Sequence, residues 1–146
     1  MKFPNRYNIL KTSQYESGKI KIVPIRYEDR LLIMRWRNEQ MYHLRQQKVL
    51  TETDQNQYFD TFVSKLFDAH QPNQLLFSYL QDDVCIGYGG LVHINWKDKN
   101  AEISFIIDPK LEKEYFQQHW TTYLSLIEQV AFKGLDLRKI YTYAFD

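Results

Sequence analysis

Apolar and polar positions alternate over residues 19–25, "KIKIVPI", with Ile20, Ile22 and Pro24 on one face, which predicts a strand. The proline confines it to a sheet edge or makes it a strand end. Over 26–40 the period lengthens: Leu31, Leu32, Met34, Arg35 and Trp36 set an apolar stripe beside a basic face, the signature of a helix. A second helix is predicted over 49–70, where Tyr58, Phe59, Phe62, Val63, Leu66 and Phe67 recur at helical spacing. Thr51, Thr53 and Asp54 are its candidate N-caps, and "QPN" at 71–73 ends it. Strand patterns return at 74–80, 84–96 and 101–108, separated by the turns "QDD" and "KDKN", which predicts an antiparallel meander.

A long helix follows over roughly 111–133, with Phe116, Trp120, Tyr123, Leu124, Ile127, Val130 and Ala131 on one stripe, and "GLDL" leads into a last strand at 139–146. Strand, helix and strand in that order imply a parallel, right-handed crossover. Before all this, "TSQYESG" at 12–18 reads as a polar turn or an exposed strand tip, so residues 1–18 form an extension or an edge strand. The expected architecture is a single α+β domain over 1–146, a mixed sheet layered with helices.

Composition changes this picture little. A chain of 146 residues suits one core, and 44% hydrophobic with 25% charged residues is ordinary for a globular protein. The 11 Tyr and 9 Phe favour a well-packed core with large pockets but name no ligand. A net charge of +1 provides no global field for nucleic acid. The one cysteine, Cys85, forbids an intrachain disulfide and points to a reducing compartment. No apolar leader opens the chain and no run reaches the ~18 apolar residues of a membrane span, so a cytoplasmic protein without membrane contact is expected.

Among residues able to do chemistry, Glu102 stands out. It shares a strand face with Ser104 and Ile106, and a carboxylate projecting into a cleft there would accept a proton from an attacking ammonium. The alternative is a solvated or salt-bridged strand residue. His93 closes the preceding strand, where it would either assist proton removal or bond a neighbour. His43, His70 and His119 are scattered without metal-ligand spacing, so no metal is expected. Gly87, Gly89 and Gly90 do not form a dinucleotide fingerprint and precede no helix; glycines in a strand mark bulges or close backbone approach. Cys85 lies between Val84 and Ile86 and reads as a buried, inert thiol.

The order of elements, with "RWRNE" (35–39), "IGYGGLVHIN" (86–95), "AEISFIID" (101–108) and "VAFKGLDLRKIYTYAFD" (130–146), resembles the GCN5-related N-acetyltransferase (GNAT) superfamily over about 20–146. The nearest likeness is to the branch holding ribosomal-protein and sugar-nucleotide N-acetyltransferases. The resemblance implies an acetyl-CoA donor and an amine acceptor, a small molecule such as an amino-sugar nucleotide or a protein N-terminus. It implies a splayed pair of parallel strands, with the pantetheine arm against the backbone of Phe105, Ile106 and Ile107. It also puts Arg37 and Asn38 at the acceptor pocket, where a planar guanidinium can grip a phosphate or carboxylate; helix capping and surface charge are the competing roles.

Two departures from the family pattern stand out. The glycine-rich loop that cradles the donor's diphosphate corresponds here to "LEKEYFQQHW", which has no glycine and two glutamates. The family's C-terminal strands, and the tyrosine that protonates the leaving thiolate, are expected to have no counterpart, which reads either as a fragment of a longer active enzyme or as a sheet completed by a partner subunit. The expectation is therefore either an N-acetyltransferase or a weakly binding, non-catalytic module on the same scaffold that completes its sheet through a homodimer.

Overall fold

The computed structural model describes residues 2–41, 44 and 46–142. Six strands form one sheet in the order β1-β2-β3-β4-β5-β6. The polar tip at 12–18 is a strand, β1 (Tyr15–Ser17), which turns at Gly18 and pairs antiparallel with β2 (Ile20–Pro24). Pro24 is the last residue of β2, two positions past the stretch that β1 covers. The meander follows as β3 (Leu75–Gln81), β4 (Val84–Asn95) and β5 (Asn100–Ile107). Asp82 and Asp83, at φ 50° and 68°, make the β3–β4 turn of the hand that matches strand twist.

Helix α1 (Arg30–Glu39) follows a short 3-10 turn (Tyr27–Asp29). Its start is anchored by the Arg26 fork on the buried Asp29 carboxylate, at 2.8 and 3.0 Å, and by the Arg26 N–H donating to Ser78 Oγ at 3.1 Å. Of the three candidate caps, Thr51 is the one used: it forms a reciprocal capping box with Asp54 at the start of α2 (Glu52–Tyr58). The helix continues through a π-helical stretch, Phe59–Val63, into a last turn, α3 (Ser64–Leu66). Phe59, Val63, Leu66 and Phe67 reach the core, whereas Tyr58 and Phe62 stack on each other at the surface.

The long helix α4 (Pro109–Glu128) starts two residues before the predicted 111, because Asp108 caps it and Pro109 takes the first helical position. A π-helical stretch, Gln129–Gly134, ends it. Tyr123, Leu126, Ile127, Val130 and Ala131 of this segment are fully buried against the sheet. No helix among the described residues is long and apolar enough to cross a membrane. The N-terminal segment is more than an extension. Tyr7 is buried, and its hydroxyl donates to the Leu76 carbonyl at 2.7 Å and accepts from the Leu76 N–H at 3.0 Å.

The expected crossover is present: β6 (Lys139–Tyr141) runs parallel to β5. The predicted strand extended to 146, and its last four residues lie outside the described ones.

His119 of α4 sits with Nδ1 2.7 Å from the Tyr79 hydroxyl, and burial lowers its pKa from the ordinary 6.5. The unfolded chain therefore takes up a proton near pH 6.5 that folded His119 resists. This contribution to stability is complete above that pH and is lost as pH falls through the depressed folded value. Urea unfolding at pH 7.5 and at pH 5 is expected to show a smaller loss of stability on acidification for His119→Gln than for the wild type.

Candidate active site

The site is built on the edge of β5. Parallel pairing with β6 covers Asn100↔Lys139, Ala101↔Ile140 and Glu102↔Tyr141, and no pair follows among the described residues. Direction along β5 can be read from its ends. The Lys99 carbonyl accepts from Arg138 on the β6 side, whereas the Asp108 N–H donates to Ile86 on the β4 side. With a period of two, the N–H and C=O of Phe105 and Ile107 face the β6 side and those of Ile106 face β4. Of the three backbone positions expected from sequence, Phe105 therefore presents both polar groups outward. Ile107 presents its carbonyl to the Gln40 amide at 3.3 Å, and Ile106 is paired with Tyr88.

A cleft of about 760 Å³ lies over this edge. Phe116 and Trp120 of α4 form one wall, stacked at 6.3 Å with planes 8° apart, and Arg37 and Gln40 from the end of α1 form the other. Phe105 is held in place by α4, its ring 4.0 Å from that of Tyr123, whose hydroxyl donates to the Ser104 carbonyl at 2.8 Å.

Glu102 borders the cleft, and its carboxylate makes no hydrogen bond or ion pair among the described residues. His93 borders it too, on a β-bulge where register shifts between Val92 and Asn95 and where its own φ is +50°. A bulge re-aims a side chain, and here it brings an exposed imidazole to the same opening as Glu102.

A second cavity of about 310 Å³ lies between α1, α2 and the sheet, and it shares Arg37, Val92 and Ser104 with the cleft. Arg37 is the hinge between the two. Its Nη1 donates to the Tyr88 hydroxyl at 2.6 Å, and it has no carboxylate partner among the described residues. Burial works against its charge, but Tyr88 and Tyr58 together outweigh this and raise its pKa.

Asn38 lines neither cavity. Its oxygen accepts from the Leu50 N–H and from Gln46, both at 2.8 Å, and its nitrogen donates to the Leu50 carbonyl at 3.0 Å. It pins the segment after α1 with its oxygen and one amide N–H. Burial pushes the Cys85 thiol up to about 12, which makes it inert at neutral pH.

Four residues of the site were not singled out from sequence: Tyr88, Gln40, Phe116 and Trp120. The last two carried a signal, their four-residue spacing, but it is the signal of any helix that packs on a core. Tyr88 and Gln40 act through partners 51 and 67 residues away, which no local pattern encodes.

The Acetyltransferase (GNAT) domain family matches residues 22–145. The chain belongs to this family. The GNAT chain is also similar in fold to spermidine N-acetyltransferase from Vibrio cholerae solved in complex with CoA and spermine. The two share 18% identity at a TM-score of 0.70, over 88% of this chain and 72% of that one. The dodecameric structure of the Vibrio cholerae enzyme in an intermediate state matches at 19% identity and a TM-score of 0.64, over 86% of this chain and 70% of that one. Among curated proteins none matches. The opening beside β5 thus belongs to a GNAT scaffold, and its residues decide what that scaffold can do here.

Proposed function

We propose that this GNAT domain transfers an acetyl group from acetyl-CoA to a primary amine. The observation that carries this reading is the 760 Å³ cleft lined by the Phe105 segment of β5, which pairs with no strand but β4 among the described residues, with a Glu102 carboxylate at the same opening that has no partner among them. The pantetheine arm has amides spaced along an extended chain, and a strand edge with free N–H and C=O groups pairs with such a chain as it would with another strand. Phe116 and Trp120 supply an apolar wall for its methylene and dimethyl groups.

In this reading Glu102 takes the proton from the incoming ammonium, so that a neutral amine attacks the thioester carbonyl. The carbon–nitrogen bond forms, the carbon–sulfur bond breaks, and the thiol leaves with a proton. The smaller cavity holds the body of the acceptor, and the junction at Arg37, Val92 and Ser104 is where its amine meets the thioester.

Arg37 decides among acceptors. A half-buried guanidinium with no carboxylate partner among the described residues favours an acceptor that carries an anion and disfavours a polycation. An amino-sugar nucleotide fits better than a protein N-terminus, and both fit better than spermidine, despite the polyamine named with the Vibrio cholerae structure. Thiol release and product mass, measured with acetyl-CoA and each amine in turn, are expected to rank them in that order. Arg37→Gln is expected to lower kcat/KM for the phosphate-bearing amine about 10–100-fold, the loss of one charge-assisted contact, and to leave that for spermidine little changed. Absence of product with every amine, together with no acetyl-CoA binding at millimolar concentration, would overturn the reading.

A further inference from the structure

The GNAT resemblance would put the donor's diphosphate at the start of α4, and there the backbone N–H groups are all engaged. A single residue, Asp108, connects β5 to α4. Pro109 has no N–H. The Lys110 N–H donates to the Asp108 carboxylate at 3.0 Å, and the Leu111 and Glu112 N–H groups donate to the Asp108 carbonyl at 2.8 and 3.2 Å. From Lys113 onward each N–H lies inside the helix and bonds four residues back. Anion sites at helix starts work because the first N–H groups are free, and here all of them are used.

Charge points the same way. The Asp108 carboxylate already sits on the positive end of the helix, and Glu112 adds a second carboxylate on the cleft wall. Lys110 and Lys113 are exposed and are not part of that wall. Among the described residues the one guanidinium that borders the cleft, Arg37, is tied to Tyr88 on the face of the sheet away from α4.

We infer that the cleft recognises its donor by the pantetheine arm alone and provides no site for the diphosphate, so that a pantetheine thioester without the nucleotide is a donor of equal standing. This rests on the acyl-transfer reading and goes beyond it, since it says which half of the donor the protein reads. Among the described residues the contacts on offer, the Phe105 backbone and the aromatic wall of Phe116 and Trp120, fall on the arm.

Calorimetric titration of the full chain with acetyl-CoA, acetyl-pantetheine and adenosine 3′,5′-bisphosphate tests it. The expected result is Kd values for the two thioesters within about threefold of each other, little change in either between low and high salt, and no competition from the bisphosphate. Glu112→Lys, which puts a cation on the cleft wall, is expected to tighten acetyl-CoA and not acetyl-pantetheine. Acetyl-CoA binding tighter than acetyl-pantetheine by about tenfold or more, or competition by the bisphosphate, overturns the inference while leaving acyl transfer standing. Failure of both thioesters to bind overturns acyl transfer itself and this inference with it.

Discussion

Glu102→Gln is expected to lower kcat by about 10²–10⁴-fold, the usual contribution of a positioned general base, while the Kd for acetyl-CoA stays close to the wild-type value. Glutamine keeps the size of the side chain and loses its basicity. If the carboxylate removes the ammonium proton, the loss falls on the chemical step. The position makes a structural effect small, because Glu102 has no hydrogen-bond or ion-pair partner to abandon among the described residues. A second measurement separates the base from a mere charge. Raising the pH deprotonates the amine in solution, so the gap between variant and wild type narrows toward the pKa of the acceptor. Equal kcat for both forms at neutral pH would remove Glu102 from the reaction.

The largest stability effect is expected at the two glycines in the middle of β4. A Cβ at Gly89 would lie 2.1 Å from the Ser104 carbonyl oxygen and 2.7 Å from the Tyr123 hydroxyl, and one at Gly90 would lie 1.9 Å from the Leu75 carbonyl oxygen. The two carbonyl oxygens are strand backbone on either side of β4 and cannot rotate away. Gly89→Ala or Gly90→Ala should therefore cost about 3 kcal/mol or more, the upper end for overpacking, which lowers Tm by roughly 6–12 °C for a chain of this size. Gly18 is the informative control. It has φ +61° and open space around it, so alanine there meets only the backbone preference, about 1 kcal/mol. A thermal melt in which Gly18→Ala costs as much as Gly89→Ala would show that close packing between β3, β4 and β5 is not what holds these positions to glycine. Gly89→Ala should also disturb the site, because the Tyr123 hydroxyl it strikes is the one bonded to Ser104 beneath the cleft.

Much of the fold was legible because its signals are local. The period-two runs became β2 to β5 within a residue or two at each end, and the helical stripes became α1, α2 and α4. Where boundaries moved, the cause was a cap or a turn. Asp108 and Pro109 started α4 early, and the π-helical stretch at Phe59–Val63 left Tyr58 and Phe62 at the surface despite their helical spacing. The candidate site was legible in part. Glu102, His93 and Arg37 do border one cleft, but Asn38 is spent on Leu50 and Gln46, and Ile106 turns its backbone to β4.

What the amino-acid order by itself determined is the sequence of elements, the faces they bury and the absence of glycine at the start of α4. Each of these depends on residues within about one helical turn or one strand repeat of each other. What only the tertiary structure decided is which backbone groups of β5 face β4, that Tyr88 holds Arg37 between two cavities, and that Asp108 uses up the N–H groups of the helix start. These depend on how neighbouring strands pair and on atoms brought together from positions far apart in the chain. A pattern with a period of two or 3.6 residues carries no information about such distances.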